Sequence, residues 1–362
     1  MKNSFGNNLV VTLFGESHGE YIGAVIDGIS PGIRVDFDYI DKKLALRRPQ
    51  GKISTQRVEK DEYSIISGVY EGYTTGTPFT VIIPNSNKKS GDYKSLAKTP
   101  RPSHADYTAE CKYHGFSDPR GGGHFSGRIT AALVFVGALL GAALEKKGIF
   151  IGTHISSLHG IKDRGFINYK EDFDLLSATP FPVLDKDSAN QMNALIEAAA
   201  EKKDSVGGIL ESAIIGVPAG VGEPWFDTAE GLLSHALFSI PGIKGVEFGL
   251  GFGFDGAYGS EANDPFGIAN GRVVTKTNNN GGINGGITNG MPIIFRTAVK
   301  PTPSIFKEQK SVDLNSLTET SITIEGRHDP AIIHRARSVV DAVSAIVIAD
   351  MLIGRFGTDY LM

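Results

Sequence analysis

The stretch TLFGESHGEYIGAVIDGISPG, residues 12–32, separates two possible folds. Its centre, Gly15-Glu16-Ser17-His18-Gly19, fits G-x-S-x-G, the hydrolase pattern in which a strand turns sharply into a helix with the serine at the turn. The strand is present, since LVVTLF (9–14) is apolar and β-branched. The helix is not. YIGAVID (21–27) is also rich in strand-forming residues and is followed by Gly28, Pro31 and Gly32. It therefore reads as a second strand, with residues 15–20 as the loop between the two. A nucleophilic Ser17 is disfavoured by this reading. His18 is the better candidate, because histidine is the side chain whose unperturbed pKa lies close to neutrality, and held on a glycine-framed loop it can act as a general acid. From this segment alone, a histidine that only bonds its own loop is an equal alternative.

Further strand-like runs follow at 63–69, 78–84, 207–218, 244–254, 292–299 and 320–326, many alternating apolar with polar or small residues as antiparallel strands do. Amphipathic helical patterns occupy 38–48, 188–204 and 229–240. Two more helices, 126–147 and 334–354, are apolar nearly all round and must be covered on every side. A loop holding Gly, His and Arg precedes each, PRGGGHFSGR and EGRHDPAIIHR, which suggests one half-plan used twice. The expected fold class is α+β, with buried helices sandwiched between two mainly antiparallel sheets and a pseudo-duplicated plan. No linker-like stretch divides the chain, so residues 1–362 are read as one catalytic domain with an internally repeated β-α plan.

Composition narrows the function. The formal net charge is −4, so no global field draws nucleic acid or an anionic membrane, and neither is expected as a partner. The lone Cys111 forms no internal disulfide or cysteine-rich zinc site, and the N-terminus has no recognisable signal peptide; both fit a cytoplasmic location. The longest apolar run, 129–144, makes a helix of about 24 Å, short of a bilayer's roughly 30 Å. Glycine is the outlier, 45 of 362 residues, so many loops must approach something closely. TKTNNNGGINGGITNG (275–290) reads either as a flexible surface loop or as a backbone lining for a flat or phosphorylated ligand.

Any anion must then be caught locally. Arg47, Arg48, Lys52 and Arg57 cluster in ALRRPQGKISTQR; Arg101 and His104 lie in TPRPSHADYT; Arg120, His124, Ser126 and Arg128 in DPRGGGHFSGR; Lys300 in KPTPS; Arg327, His328 and Asp329 in GRHDP. Guanidinium groups hold phosphate and carboxylate in bidentate fashion, so these loops together suggest a small polyanionic substrate and a phosphorylated cofactor. The histidines lack zinc-site spacing, and no metal is expected.

In this order, TLFGESHGEYIGAVIDGISPG, LRRPQGKISTQR, SGVYEGYTTGTP, RPSHADYT, DPRGGGHFSGR, GVEFGLGF, NGGINGGITNGMPI, KPTPSI and GRHDPAIIHRA resemble the chorismate synthase family over nearly the whole chain. The resemblance implies an anti-1,4-elimination of phosphate from 5-enolpyruvylshikimate 3-phosphate, giving chorismate at the last step of the shikimate pathway. It implies reduced FMN as cofactor with no net redox change, and a homotetramer. No appended reductase domain is apparent, so an external flavin reductase is the expected source of reduced FMN.

By the same resemblance, His18 is the acid beside the leaving phosphate and His104 the acid near the reduced flavin. Asp329 is the carboxylate that relays a proton from flavin N5. Arg47, Arg48, Lys52, Arg57 and Arg128 are implied for the substrate's anionic groups, with Ser17 as a hydrogen-bonding partner. Flavin contacts are implied for His124, Phe125, Ser126, Glu261, Ala262, Gly285, Lys300, Pro301, Thr302, Pro303, Ser304 and Arg327. The chain departs from the family at His124 and Phe125, where many members carry Arg and Ser, at Lys52, where many carry Arg, and at Ser103, where Gly is usual.

Overall fold

A computed structural model describes residues 2–49, 61–85, 99–324 and 328–362. Lys52, Arg57 and Arg327 lie outside the described residues. The opening stretch is strand, loop, strand: Val10–Gly15 pairs antiparallel with Tyr21–Asp27, from Val10 opposite Asp27 to Gly15 opposite Ile22. The second strand pairs on its other edge with Phe79–Pro84, which pairs in turn with Ser64–Ser67. Phe79, Val81 and Ile83 are buried while Thr80 and Ile82 are partly exposed, the period of two expected of a sheet with one covered face.

A second antiparallel sheet is built from Phe150–Leu158, Gly208–Ile215, Ile293–Val299 and Ile243–Phe248, lying side by side in that order. The order is informative. Leaving aside a two-residue edge strand in each, Ser4–Phe5 and Ile161–Lys162, in both sheets the first strand in the chain neighbours the second, the second neighbours the fourth, and the fourth neighbours the third. In both, a helix links the second strand to the third: Phe37–Arg47 in the first sheet and Ala229–Leu237 in the second. In both, a long apolar helix follows the fourth strand, Thr130–Lys146 and Ile333–Phe356. The repeated half-plan is thus a repeat of topology.

These two helices pack against each other between the sheets. Their crossing is close: a Cβ at Gly137 would stand 2.3 Å from both Cα and Cβ of Ala342. Leu139, Leu140, Leu144, Val347, Ile348 and Leu352 are fully buried there, each adding about 1.5–3 kcal/mol of burial free energy. With its preceding turn the first helix, 127–146, lies within the expected 126–147 and is long and apolar enough to cross a membrane, which corrects the length taken from the 129–144 run. It serves here as core helix, covered on both sides.

Several expectations change. The run 244–254 is not one strand: it ends at Phe248 and continues as a tight 3-10 turn, Gly251–Gly256. The run 63–69 splits into Ser64–Ser67 and a short strand beginning at Val69. The glycine-rich segment 275–290 is neither a loose loop nor part of the large cavity described below. It folds back as a small hairpin, Ile283–Asn284 with Ile287–Thr288. The Asp264 carboxylate accepts from the backbone of Asn279 and Asn280 and from the Thr277 hydroxyl, which fastens its base.

Candidate active site

Both long helices begin at a common cavity of about 1710 Å³. Its wall includes Ile129 and Thr130 from the first helix start and Ile332, Arg335 and Ala336 from the second. Positive helix dipole ends therefore border a space whose side chains are also basic. Single-ligand pockets run to roughly 1,000 Å³, so this one has room for two small molecules.

The helix Phe37–Arg47 delivers two of the cations. The Asp36 carboxylate caps its start by accepting from the Tyr39 N–H at 3.0 Å, and Ile40 and Leu44 anchor its buried face. Its far end then sets Arg47 and Arg48 against the cavity, where the negative end of the dipole favours cations. Arg47 donates from Nε to Thr130 Oγ1 at 3.2 Å and from Nη2 to the Arg128 carbonyl at 3.2 Å. Arg128, from the turn before the first long helix, donates to Asn85 Oδ1 at 3.0 Å and to the Pro84 carbonyl at 3.1 Å.

All three guanidiniums converge on Asp61, whose side chain is fully buried. Arg128 contacts its Oδ1, while Arg47 Nη1 and Arg48 Nε stand 3.6 and 3.7 Å from its Oδ2. Sequence reasoning missed Asp61. It ends a run of alternating charges whose pattern does not show which one turns inward.

His18 lies on the cavity wall and is buried. The Ser17 hydroxyl donates its one proton to the Arg120 carbonyl at 3.2 Å, and its oxygen lies 3.2 Å from His18 Nδ1. The Ser17 contact thus engages the Nδ1 side of the ring. Gly121 packs flat on the ring. A Cβ there would fall 2.2 Å from His18 Cε1, and the residue has φ +60, so glycine is required on both counts. A serine committed to a carbonyl, in a loop between paired strands, is not an elbow nucleophile.

His104 also lines the cavity, with Nε2 2.8 Å from the Ser304 hydroxyl. Burial first, then the neighbouring Arg101, pushes its pKa down to about 4. It is neutral at pH 7 in this state and needs an anion beside it to be charged. Arg101 itself is locked in a two-point pair with Asp106, at 2.8 and 2.7 Å. The family departure at Ser103 is visible here: its φ of +64 is the left-handed conformation that glycine adopts without strain.

Asp329 is buried on the same wall and is ion-paired with Arg335, whose Nε also donates to the Arg47 carbonyl at 2.9 Å. That contact ties the carboxylate to the arginine cluster. His124, Phe125 and Ser126 line the cavity as expected; His124 Nδ1 bonds the Gly15 carbonyl at 2.8 Å, and Phe125 meets Tyr113 edge-on. Lys300, Thr302, Pro303 and Ser304 line it too, with Pro301 between them in the chain.

Three expected contacts do not reach it. Glu261 caps its own short helix, accepting from the Tyr258 N–H at 3.1 Å; Ala262 belongs to that helix; and Gly285 sits exposed at the tip of the hairpin. Among the described residues no group of His, Cys, Asp or Glu is placed to hold a metal ion.

Two half-sheets of one topology, with imidazoles, a carboxylate and guanidiniums gathered where their long helices begin, define an α+β enzyme for small polyanions. Comparison with known proteins gives the family. The family model described as chorismate synthase matches residues 9–353. A chorismate synthase of Thermococcus gammatolerans is 46% identical over 351 residues, covering 97% of each chain, and one of Pyrococcus abyssi is 47% identical over 350 residues at the same coverage. A solved structure titled as a crystal structure of chorismate synthase superposes with a TM-score of 0.77 at 29% identity, covering 98% of this chain and 95% of that one. The chain belongs to the chorismate synthase family. It is a carbon–oxygen lyase that eliminates phosphate from 5-enolpyruvylshikimate 3-phosphate to give chorismate, the last step of the shikimate pathway.

Proposed function

We propose that the cavity holds 5-enolpyruvylshikimate 3-phosphate and reduced FMN together, and that His18, His104 and Asp329 move the protons. The observation that carries this reading is their convergence. Three residues 86 and 225 positions apart in the chain (18 to 104, 104 to 329) line one cavity together with Arg47, Arg48 and Arg128.

The cavity also suits a flavin. Thr302 Oγ1 is buried without a hydrogen-bond partner, an orphaned polar group that a ligand's acceptor would satisfy. Leu133, Val339, Val343 and Ile346 give it an apolar wall suited to a flat ring system. When bound, the reduced flavin supplies electron density to the substrate and takes up the departing hydrogen, with no net redox change.

The protein's own part is electrostatic and acid–base. Arg47, Arg48 and Arg128 hold anionic groups of the substrate, with Lys52 and Arg57 assigned to the same task. The leaving phosphate gains charge as its C–O bond breaks, and a proton from His18 favours that step. Ser17 holds the ring from its Nδ1 side. His104, held by Ser304, serves the flavin together with Lys300, Thr302 and Pro303 and with His124, Phe125 and Ser126 on the cavity wall, and Pro301 and Arg327 are assigned to the same cofactor. Asp329, held by Arg335, accepts a proton at the cavity wall.

Glu261, Ala262 and Gly285 fit this scheme only through a neighbouring subunit. The proposed homotetramer is supported by exposed Phe252, Phe266, Ile268 and Val273, apolar side chains that flank Glu261 and Ala262 in the chain and that an interface would cover. In this reading the whole chain acts as one catalytic unit in the cytoplasm, with reduced FMN from a separate reductase.

The test is anaerobic: protein, reduced FMN and substrate are mixed, and phosphate release and the diene absorbance of chorismate are followed. His18→Ala and His104→Ala are each expected to lower turnover at least about tenfold in folded protein. Wild-type-like rates in both would remove their assigned roles.

A further inference from the structure

Lys244 occupies an unusual position in the second sheet. Ile243 pairs with Val299 and Gly245 with Ala298, so two residues on one strand advance against a single residue on the other. Lys244 is the extra residue of a β-bulge, a feature that re-aims a side chain. It lines the large cavity, as does Lys300, which follows Val299 directly on the partner strand. The corner is held in place, because the Lys300 N–H donates to the Gly242 carbonyl at 2.9 Å and its ammonium donates to the Ser103 carbonyl at 2.5 Å.

Two cations are thereby brought to one corner. Lys300 is held below its usual pKa, first by burial and then by the charge of Lys244. The nearby carboxylates on the wall are already engaged, Asp106 by Arg101 and Asp329 by Arg335. Beside the two lysines, Thr302 Oγ1 remains buried and unbonded. Lys300 is half-buried and Lys244 exposed, so both ammonium groups are accessible to an anion from the cavity, and a phosphate monoester near pH 7 is a dianion that two cations attract together. Lysine binds phosphate as a point charge, without the planar fork of arginine.

We propose that Lys244 is a cofactor-binding residue which, with Lys300 and the Thr302 hydroxyl, seats the phosphate of the flavin. This rests on the flavin reading above. The two halves of the chain then supply one anion seat each. Arg47, Arg48 and Arg128 from the first half serve the substrate; the lysine pair from the second serves the cofactor.

Binding decides it without turnover. Oxidised FMN and riboflavin, which differ only in the phosphate, are titrated into the intact protein and followed by flavin fluorescence, with circular dichroism as the check on folding. Wild type is expected to prefer FMN. Lys244→Gln is expected to lower FMN affinity about tenfold, the loss of one charge-assisted contact, while riboflavin affinity stays put. Lys244→Arg should retain most of the preference. An unchanged FMN-to-riboflavin ratio in folded Lys244→Gln overturns the proposal. So does weakened binding of 5-enolpyruvylshikimate 3-phosphate with FMN unaffected, which would give the lysines to the substrate. If wild type binds neither flavin, the cofactor reading itself falls and takes this inference with it.

Discussion

Replacing Asp61 by alanine should destabilise the protein, and added phosphate should reverse the effect. Three guanidiniums share this one carboxylate. At 3.6–3.7 Å, a unit pair in an effective dielectric of about 20 attracts by about 4.5 kcal/mol. Desolvation and the mutual repulsion of the arginines consume most of that sum. The Arg48 side chain is also 30% exposed, so its share is screened. What survives is the cost of breaking a buried ion pair from one side, about 3–5 kcal/mol.

An unfolding entropy of about 2.1 cal/mol/K per residue over 362 residues converts this into a fall in Tm of about 4–7 °C. Calorimetry with and without inorganic phosphate is the assay. In the Asp61→Ala protein an anion can enter the space left by the carboxylate, so saturating phosphate should raise its Tm more than it raises that of wild type. Asp61→Asn keeps the shape and loses the charge, so it should be destabilised as well but gain less from phosphate than Asp61→Ala, because the carboxamide fills the space an anion would enter. A Tm within a degree of wild type, with an equal response to phosphate, would show that the three arginines do not depend on Asp61 and that their other contacts hold the cluster.

The remaining predictions concern two histidines and the helix crossing. Titrated by NMR in the ligand-free protein, His104 should show a pKa near 4, because burial opposes its charge, and it should move upward when an anionic flavin binds; a free-protein value near 6.5 would contradict the packing around it. His154 is completely buried, with Nδ1 2.8 Å from Asp163 and Nε2 3.3 Å from Glu211. Burial alone would lower its pKa, but the two carboxylates prevail and raise it above its ordinary value of 6.5. The folded protein thus binds this proton more tightly than the unfolded chain. The stabilisation is complete below about pH 6.5 and is lost as pH rises through the folded-state value. Urea midpoints should fall over that range in wild type and less so in His154→Gln; equal slopes would exclude the effect. Gly137→Ala sets two terms against each other, a helix-propensity gain of up to about 1 kcal/mol and the 2.3 Å approach to Ala342. Overpacking costs about 1–3 kcal/mol, so a net loss of stability is expected, and a raised Tm would refute the close crossing.

Much of the fold was legible because local and tertiary preferences agree. Tyr21–Asp27 was bounded to the residue, since β-branched residues end at a glycine and a proline on one side and at a loop of polar residues on the other. Phe150–Leu158, a strand within the second sheet, was not seen. Its sequence, FIGTHISSL, looks like a loop, because Thr153, His154, Ser156 and Ser157 find their partners only across the sheet. Thr153 pairs with Ser212 at 2.7 Å, and His154 lies between Asp163 and Glu211. No pattern within the segment reports those partners. The strand expected over 244–254 stops early because Gly249 and Gly251 take φ of +55 and +58 and turn the chain.

The site shows the same division. Loops carrying His18, His104, Arg128 and Asp329 were legible as a set by their chemistry and their resemblance, but the reason they meet lies in the topology. Each half of the chain ends in a long helix, the two helices cross at Gly137 and Ala342, and both begin at the same cavity. Each start also carries an arginine that meets a carboxylate, Arg128 with Asp61 and Arg335 with Asp329. A duplicated plan therefore brings two equivalent basic ends to one place. The halves then diverge in what they add, a guanidinium cluster from the first and a bulged lysine pair from the second.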